Sequence, residues 1–383
     1  MINLLRKISF LLFAFSGYWL LVTGYSWAEP SKQIRVNIID DAESLALRLN
    51  GFYELVDCST QKVWYRGRNL MTTVTVVNDS IGIAGRYCRT SCILIKTEGD
   101  APVSINNRLF RGDIKVLKKE NRSLCVINQI NLEDYVKGIM YHEVSHFWPE
   151  DALKAQAVVS RTYALYRMQE NKAKDFDVTS DTYAQVYGGR TSERFRTSKA
   201  VDDTEGQALV YQGNVIPAYF HATCGGHTED AAVLWNTNLP PLKGVVCPFC
   251  TDSPHYRWHE VMSLDALSKK LAENKYNVKT LTGITIAGCD ASGRITALRF
   301  VSDGKELEIP AKDFRTAIGP NVIRSTNFEV SIVDTDVVFE GLGWGHGVGL
   351  CQWGAYFMAK DGHTYQEILA YYYPGTDIKR DVQ

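Results

Sequence analysis

The pattern of apolar and polar positions changes once along the chain. From about residue 32 to 128, apolar positions fall in short β-branched runs: "IRVNII", "TVTVVN", "SCILIKT", "DIKVLKK" and "SLCVIN", separated by Gly, Asn, Asp and Pro. Such runs between turn residues predict strands. Near Asn131 the pattern becomes helical. "NLEDYVKGIMYHEV" predicts a helix capped by Asn131, with Glu133 and Asp134 in the first turn, where the positive end of the helix dipole favours them. "WPEDALKAQAVVSRTYALYRM" predicts a second helix with Pro149 at its first position and Leu153, Ala157 and Ala164 on one face. From about 258 to 340 the pattern is mixed, with a helix at "SLDALSKKLAEN" and strands at "RITALRFV" and "VSIVDTDVVFE". The C-terminus predicts a Gly-rich loop and two short helices. Gly362 ends the first, and a capping box from Thr364 to Glu367 opens the second. The expected fold class is α+β, with a β-rich N-terminal region over 29–128 and a mixed region over 129–383.

Composition narrows the function classes. Hydrophobic residues make up 45% and charged residues 22% of the 383 positions, which is globular composition with room for a sizeable core. The net charge is −1, and it becomes −3 once residues 1–28 are removed with Arg6 and Lys7. A nucleic-acid binder would be strongly basic, so no nucleic-acid partner is expected.

Arg6 and Lys7 precede a long apolar run that ends in Ser26-Trp27-Ala28, with small residues at the −3 and −1 positions of a cleavage site. This is the pattern of a secretory signal peptide, and an uncleaved membrane anchor is the alternative. Either way the body of the protein is expected outside the cytoplasm, in the periplasm or cell envelope, and attached to the membrane only if the segment is retained. The nine Cys all follow this segment, and in an oxidising compartment disulfides are the default. Nine is odd, so at least one thiol is free, metal-bound or paired between chains. Cys88-x₃-Cys92 reads as a disulfide or as two buried thiols.

Two stretches carry candidate chemistry. "HEVSH" (142–146) matches the zinc-protease pattern, in which two His one helical turn apart hold the metal and Glu is the general base. Pro149 argues against it. The residue before a proline is pushed out of the α region, so the helix must end at about His146 or Phe147. The usual third His is also missing. Glu143 itself lies at a helix-to-helix junction among apolar neighbours. Burial there would raise its pKa, whereas the next helix's N-terminus would lower it. The second stretch is His221-x₂-Cys224 followed by Cys247-x₂-Cys250, the spacing of a closed structural zinc site. A disulfide among Cys224, Cys247 and Cys250 is the alternative.

The helix pair "NLEDYVKGIMYHEVSHFWPEDALKAQAVVSRTYALYRM" resembles the signature of the SpoIID/LytB family, the stage II sporulation protein D and amidase-enhancer proteins. Three further blocks agree in order: "TSDTYAQVYGG", "YFHATCGGHTEDAAVLW" and "GLGWGHGVGLCQWGA". The resemblance spans about 105–375 and is weak over 29–104 and 258–335. It implies a SpoIID-like catalytic domain with a glycan-binding groove, and Glu143 as lone acid/base in lytic transglycosylation of peptidoglycan strands. Gln185, His346 and Gln352 match recurring polar positions and are expected to contact glycan or hold Glu143. Arg161 is expected in a substrate contact or a buried ion pair. The family's enhancer members imply another possibility, a glycan-binding protein that stimulates a cell-wall amidase.

Overall fold

The β-branched runs pair into one large sheet. The computed structural model describes residues 32–181 and 184–382; the candidate export segment 1–28 lies outside them. The sheet has eleven strands. Its order runs from Val178–Thr179 through Gln33–Ala42, Leu124–Asn131, Asp113–Lys118, Cys92–Thr97 and Ser44–Asp57 to Val63–Val77 and two short edge strands. Val178–Thr179 joins in parallel; the neighbouring strands along this path pair antiparallel. Ser44–Asp57, in none of the quoted runs, alternates, with Leu45, Leu47 and Leu49 buried between exposed Ser44, Ala46 and Arg48. Asp57 pairs with Ile93 in register, which sets Cys58 beside Cys92. These two form the disulfide, with Cα atoms 5.4 Å apart, and Cys88 is a buried free thiol. Of the two expectations for Cys88 and Cys92, a mutual disulfide or two buried thiols, the disulfide is not formed and only Cys88 is a buried thiol, because Cys88 belongs to an edge strand that pairs with Ser80–Ile83.

Helix α1 spans Leu132–Glu143, and the Asn131 side chain caps it by accepting from the Glu133 N–H (2.7 Å). It stops earlier than Pro149 alone requires. Val144 is already extended, and a turn closed by Trp148 N–H to the Ser145 carbonyl (3.0 Å) leads to α2, Glu150–Glu170. Pro149 is the cap of α2, one position before its expected place at the first helical residue.

Small side chains let α2 be covered on both sides. Leu153, Ala157 and Ala164 join the core that includes Ile34, Val36, Tyr135 and Ile139, continuous from the sheet into α1. Ala155, Val158 and Val159 enter a second core with Cys224, Cys247, Leu350 and Tyr372. The remaining helices are α3 (Phe195–Asp203), α4 (Ala231–Trp235), α5 (Leu264–Glu273), α6 (Ala311–Ile318), α7 (Gln352–Lys360) and α8 (Tyr365–Tyr372). The capping box of α8 forms as expected. Residues 257–342 build two three-stranded sheets around α5 and α6 with their own core, where Phe300, Phe314, Phe328 and Phe339 meet.

Candidate active site

Distant parts of the chain converge on Glu143. It is the last residue of α1, and it opens into a pocket of about 570 Å³. Tyr163 of α2 lines one wall, with Ala184 and Val186 from the "AQV" block. The segment 219–222 with Trp235 and the loop 344–346 supply the others, and His142, Gln352 and Arg315 complete the lining. Among the described residues of that lining, Glu143 is the sole carboxylate.

Burial pushes the Glu143 carboxyl up to about 8. Its place at the C-terminal end of α1 acts in the same direction, since the negative end of the helix dipole disfavours a carboxylate. At neutral pH the group therefore holds its proton. Gln352, at the start of α7, donates through Nε2 to the backbone carbonyl of Glu143 (3.2 Å) and to Gln156 Oε1 (3.3 Å). That bridge ties the α1–α2 junction to α2 and α7, so Gln352 both lines the pocket and positions Glu143.

The glycine-rich loop is built for close packing. A Cβ on Gly345 (φ +119°) would lie 2.7 Å from His221 Cβ, and one on Gly347 (φ +90°) would strike the Arg294 guanidinium at 2.7 Å. His346 therefore stands against Trp235 and His221, with ring centroids 5.0 and 5.6 Å away. Its Nδ1 accepts from the Val348 N–H (3.1 Å). Burial, with Arg315 and Arg294 nearby, lowers its pKa to about 3, so it is neutral. Facing Glu143, the pocket presents aromatic walls, neutral hydrogen-bonding groups and one cation, Arg315.

Other sequence expectations change. Gln185 is buried behind the pocket; it accepts from Tyr135 Oη (3.1 Å) and donates to the Ser160 carbonyl (3.4 Å). Arg161 is fully buried and clamps Glu133 at 2.6–2.7 Å while donating to the Gln207 and Val201 carbonyls. Of the two expectations for Arg161 the buried ion pair is the one found, and the substrate contact is not, because Arg161 is absent from the pocket lining. The zinc-protease geometry is absent. His146 lies beyond the end of α1, and His142 Nε2 meets Ser192 Oγ at 2.7 Å.

The expected metal set changes in one member. Cys224, Cys247 and Cys250 come together, but the fourth partner is Cys351, and the four buried sulfurs lie within 4.8 Å of one another. His221 is not one of the four, although the parallel pairing of Phe220–His221 with Leu350–Cys351 sets it beside Cys351. The His221 Nδ1 instead meets the Val348 carbonyl at 3.1 Å. Zinc–thiolate bonds of about 2.3 Å in a tetrahedron require sulfurs about 3.8 Å apart, which suits this spread. N–H groups of Cys224 and Gly354 point at Cys351 Sγ (3.3 and 3.4 Å), and Tyr372 Oη lies 3.1 Å from Cys247 Sγ. Such donors favour thiolates. Cys351 carried no spacing signal, standing alone about a hundred positions downstream; its one clue was a cysteine inside the "GLCQWGA" block.

Comparison with known proteins bears on the family. The family model described as stage II sporulation protein matches residues 120–211, and a model described only as a domain of unknown function matches 250–349. An uncharacterised protein of Brachyspira hyodysenteriae is 41% identical over 80% of this chain and 82% of its own length. Stage II sporulation protein D of Bacillus subtilis is 33% identical over 69% of this chain and 78% of its own. The amidase enhancer of the same bacterium is 27% identical over 63% of this chain, but over 40% of its own length. The chain belongs to the SpoIID/LytB family.

Proposed function

We propose that the protein is an exported peptidoglycan lytic transglycosylase, cleaving the bond between N-acetylmuramic acid and N-acetylglucosamine with Glu143 as acid and then base. The observation that carries this reading is a lone carboxyl, protonated at neutral pH, in a pocket whose described lining holds no second acid. Ordinary glycosidases need two carboxyl groups roughly 5–9.5 Å apart. A substrate that supplies its own nucleophile needs one. Glu143 gives its proton to the glycosidic oxygen as the bond to the muramoyl C1 breaks. The carboxylate left behind sits where charge is disfavoured, which makes it a strong base. It takes the proton of the C6 hydroxyl as that oxygen closes on C1. The product is a 1,6-anhydro sugar; Glu143 ends protonated, and no water is consumed. Tyr163, Tyr219, Trp235 and Trp344 offer faces for sugar rings, and His346 and Gln352 offer hydrogen bonds.

The four-cysteine cluster reads as a structural zinc site, since four thiolates leave no open position for chemistry. It would tie the 224 and 247–250 turns to Cys351, next to Gln352. Export is supported by the Cys58–Cys92 disulfide, which belongs to an oxidising compartment. Among the described residues no helix is long and apolar enough to cross a membrane. The similarity to the amidase enhancer favours a second reading, in which the pocket holds glycan without cutting it and the protein stimulates a cell-wall amidase.

Purified glycan strands incubated with the wild type and with Glu143→Gln, with and without a partner amidase, separate the two readings. Soluble fragments from the wild type alone support the lytic enzyme. No fragments, together with a faster amidase, support the enhancer; full release by Glu143→Gln removes Glu143 from the mechanism.

A further inference from the structure

Residues 250–349, matched only to a domain of unknown function, are part of the pocket. They supply Arg315, Trp344, Gly345 and His346 to its walls. Arg315 is the cation among them. It sits on α6, half-buried, and its Nε donates to the Arg324 carbonyl (3.2 Å), which fixes one edge of the guanidinium. No described carboxylate forms an ion pair with it, and the charge that acts on it is another cation, Arg294. Burial lowers its pKa to about 10, yet it is still charged at neutral pH.

A guanidinium withdrawn from water without a counterion is destabilising, and such a charge is tolerated where an anion completes it. The pocket continues past Arg315 into a second cavity of about 300 Å³, with which it shares Trp235, Gly345 and His346. Lys312 and Asp313 stand on that second wall. Lys312 donates to the Leu234 carbonyl (3.1 Å), and Asp313 makes no ion pair with Arg315.

We propose that Arg315 is the anion-binding residue of the pocket and takes a carboxylate carried by the muramoyl unit beside the scissile bond. This rests on the glycan reading of the site. N-acetylglucosamine is neutral, whereas N-acetylmuramic acid carries a lactyl ether on O3. That lactyl group ends either in a free carboxylate or in an amide to a peptide with carboxylates of its own. The planar fork of Arg315 grips a carboxylate through two hydrogen bonds and an amide far less well. The 250–349 segment thereby sets which sugar lies on which side of Glu143, and the register in which a strand is cut.

The test is direct binding, by fluorescence anisotropy, of labelled glycan strands to the full chain carrying Glu143→Gln, so that nothing is cleaved. Three ligands are compared: strands with free lactyl carboxylates, the same strands converted to methylamides, and strands bearing stem peptides. Loss of a charge-assisted pair predicts that the methylamide binds weaker by about tenfold or more. Adding Arg315→Gln should abolish that preference, and Arg315→Lys should restore part of it. If peptide-bearing strands bind as tightly as free ones, Arg315 takes a peptide carboxylate as readily as the lactyl one; if they bind like the methylamide, it takes the lactyl group's alone. Equal binding of free and methylamide strands by Glu143→Gln alone overturns the assignment, whatever the Arg315 variants do. So does a preference that survives Arg315→Gln. No binding of any strand overturns the glycan reading itself.

Discussion

Replacing Glu143 by Gln should stabilise the protein, and increasingly so as pH rises. The neutral amide stands in for the protonated acid, so the substitution removes the penalty of burying a carboxylate. Folding raises the carboxyl from its ordinary 4.5 to about 8. A raised acid contributes no penalty below its unfolded pKa. Stability is lost progressively between the two values and levels off above the folded one. With about 1.4 kcal/mol per pH unit, the wild type loses up to about 4 kcal/mol between pH 5 and pH 9 through this group alone. Unfolding entropy for a chain of this size is about 0.7 kcal/mol/K, so the melting-temperature gap between Glu143→Gln and wild type should widen by about 5 °C over that range. Melting both proteins by calorimetry at each pH and taking the difference cancels the other titrating groups. A gap that stays constant from pH 5 to 9 would refute the raised pKa, and with it the acid role at neutral pH.

Three further outcomes follow from the same geometry. Because the first step needs protonated Glu143, kcat/KM for glycan cleavage should fall on the alkaline side with an apparent pKa near 8, read from a pH–rate profile. Arg161→Met should destabilise the fold by about 3–5 kcal/mol in urea titrations, because it strands the Glu133 carboxylate, while KM of the folded fraction stays unchanged. Cys351→Ser should lower bound zinc, measured by elemental mass spectrometry, and His221→Ala should keep it; the reverse pattern would return His221 to the ligand set.

What the sequence revealed depended on whether the signal was local. The caps at Asn131 and Thr364 are set by neighbouring residues, and they stand in the structure. Pro149 indicated that "HEVSH" could not be a zinc helix, though α1 ends still earlier, at Glu143. Whether Glu143 is desolvated or solvated was not legible, because its walls come from 163, 219–222, 235 and 344–346. Cys351 and Arg315 were missed for the same reason. Each reaches its partners only through long-range packing, the first by a parallel strand pair and the second on a helix inside the weakly matching segment. Arg161 shows the converse. Its "RTY" block was visible, but the block serves the buried clamp on Glu133 rather than the pocket surface.

The central claim is that one carboxyl cuts glycan by turning the muramoyl C6 hydroxyl on C1. Its most direct test is the mass of the new strand ends after digestion in ¹⁸O-labelled water. The account predicts anhydro ends, lighter by one water than hydrolysed ends and free of label, with none formed by Glu143→Gln. Reducing ends that carry ¹⁸O would contradict it.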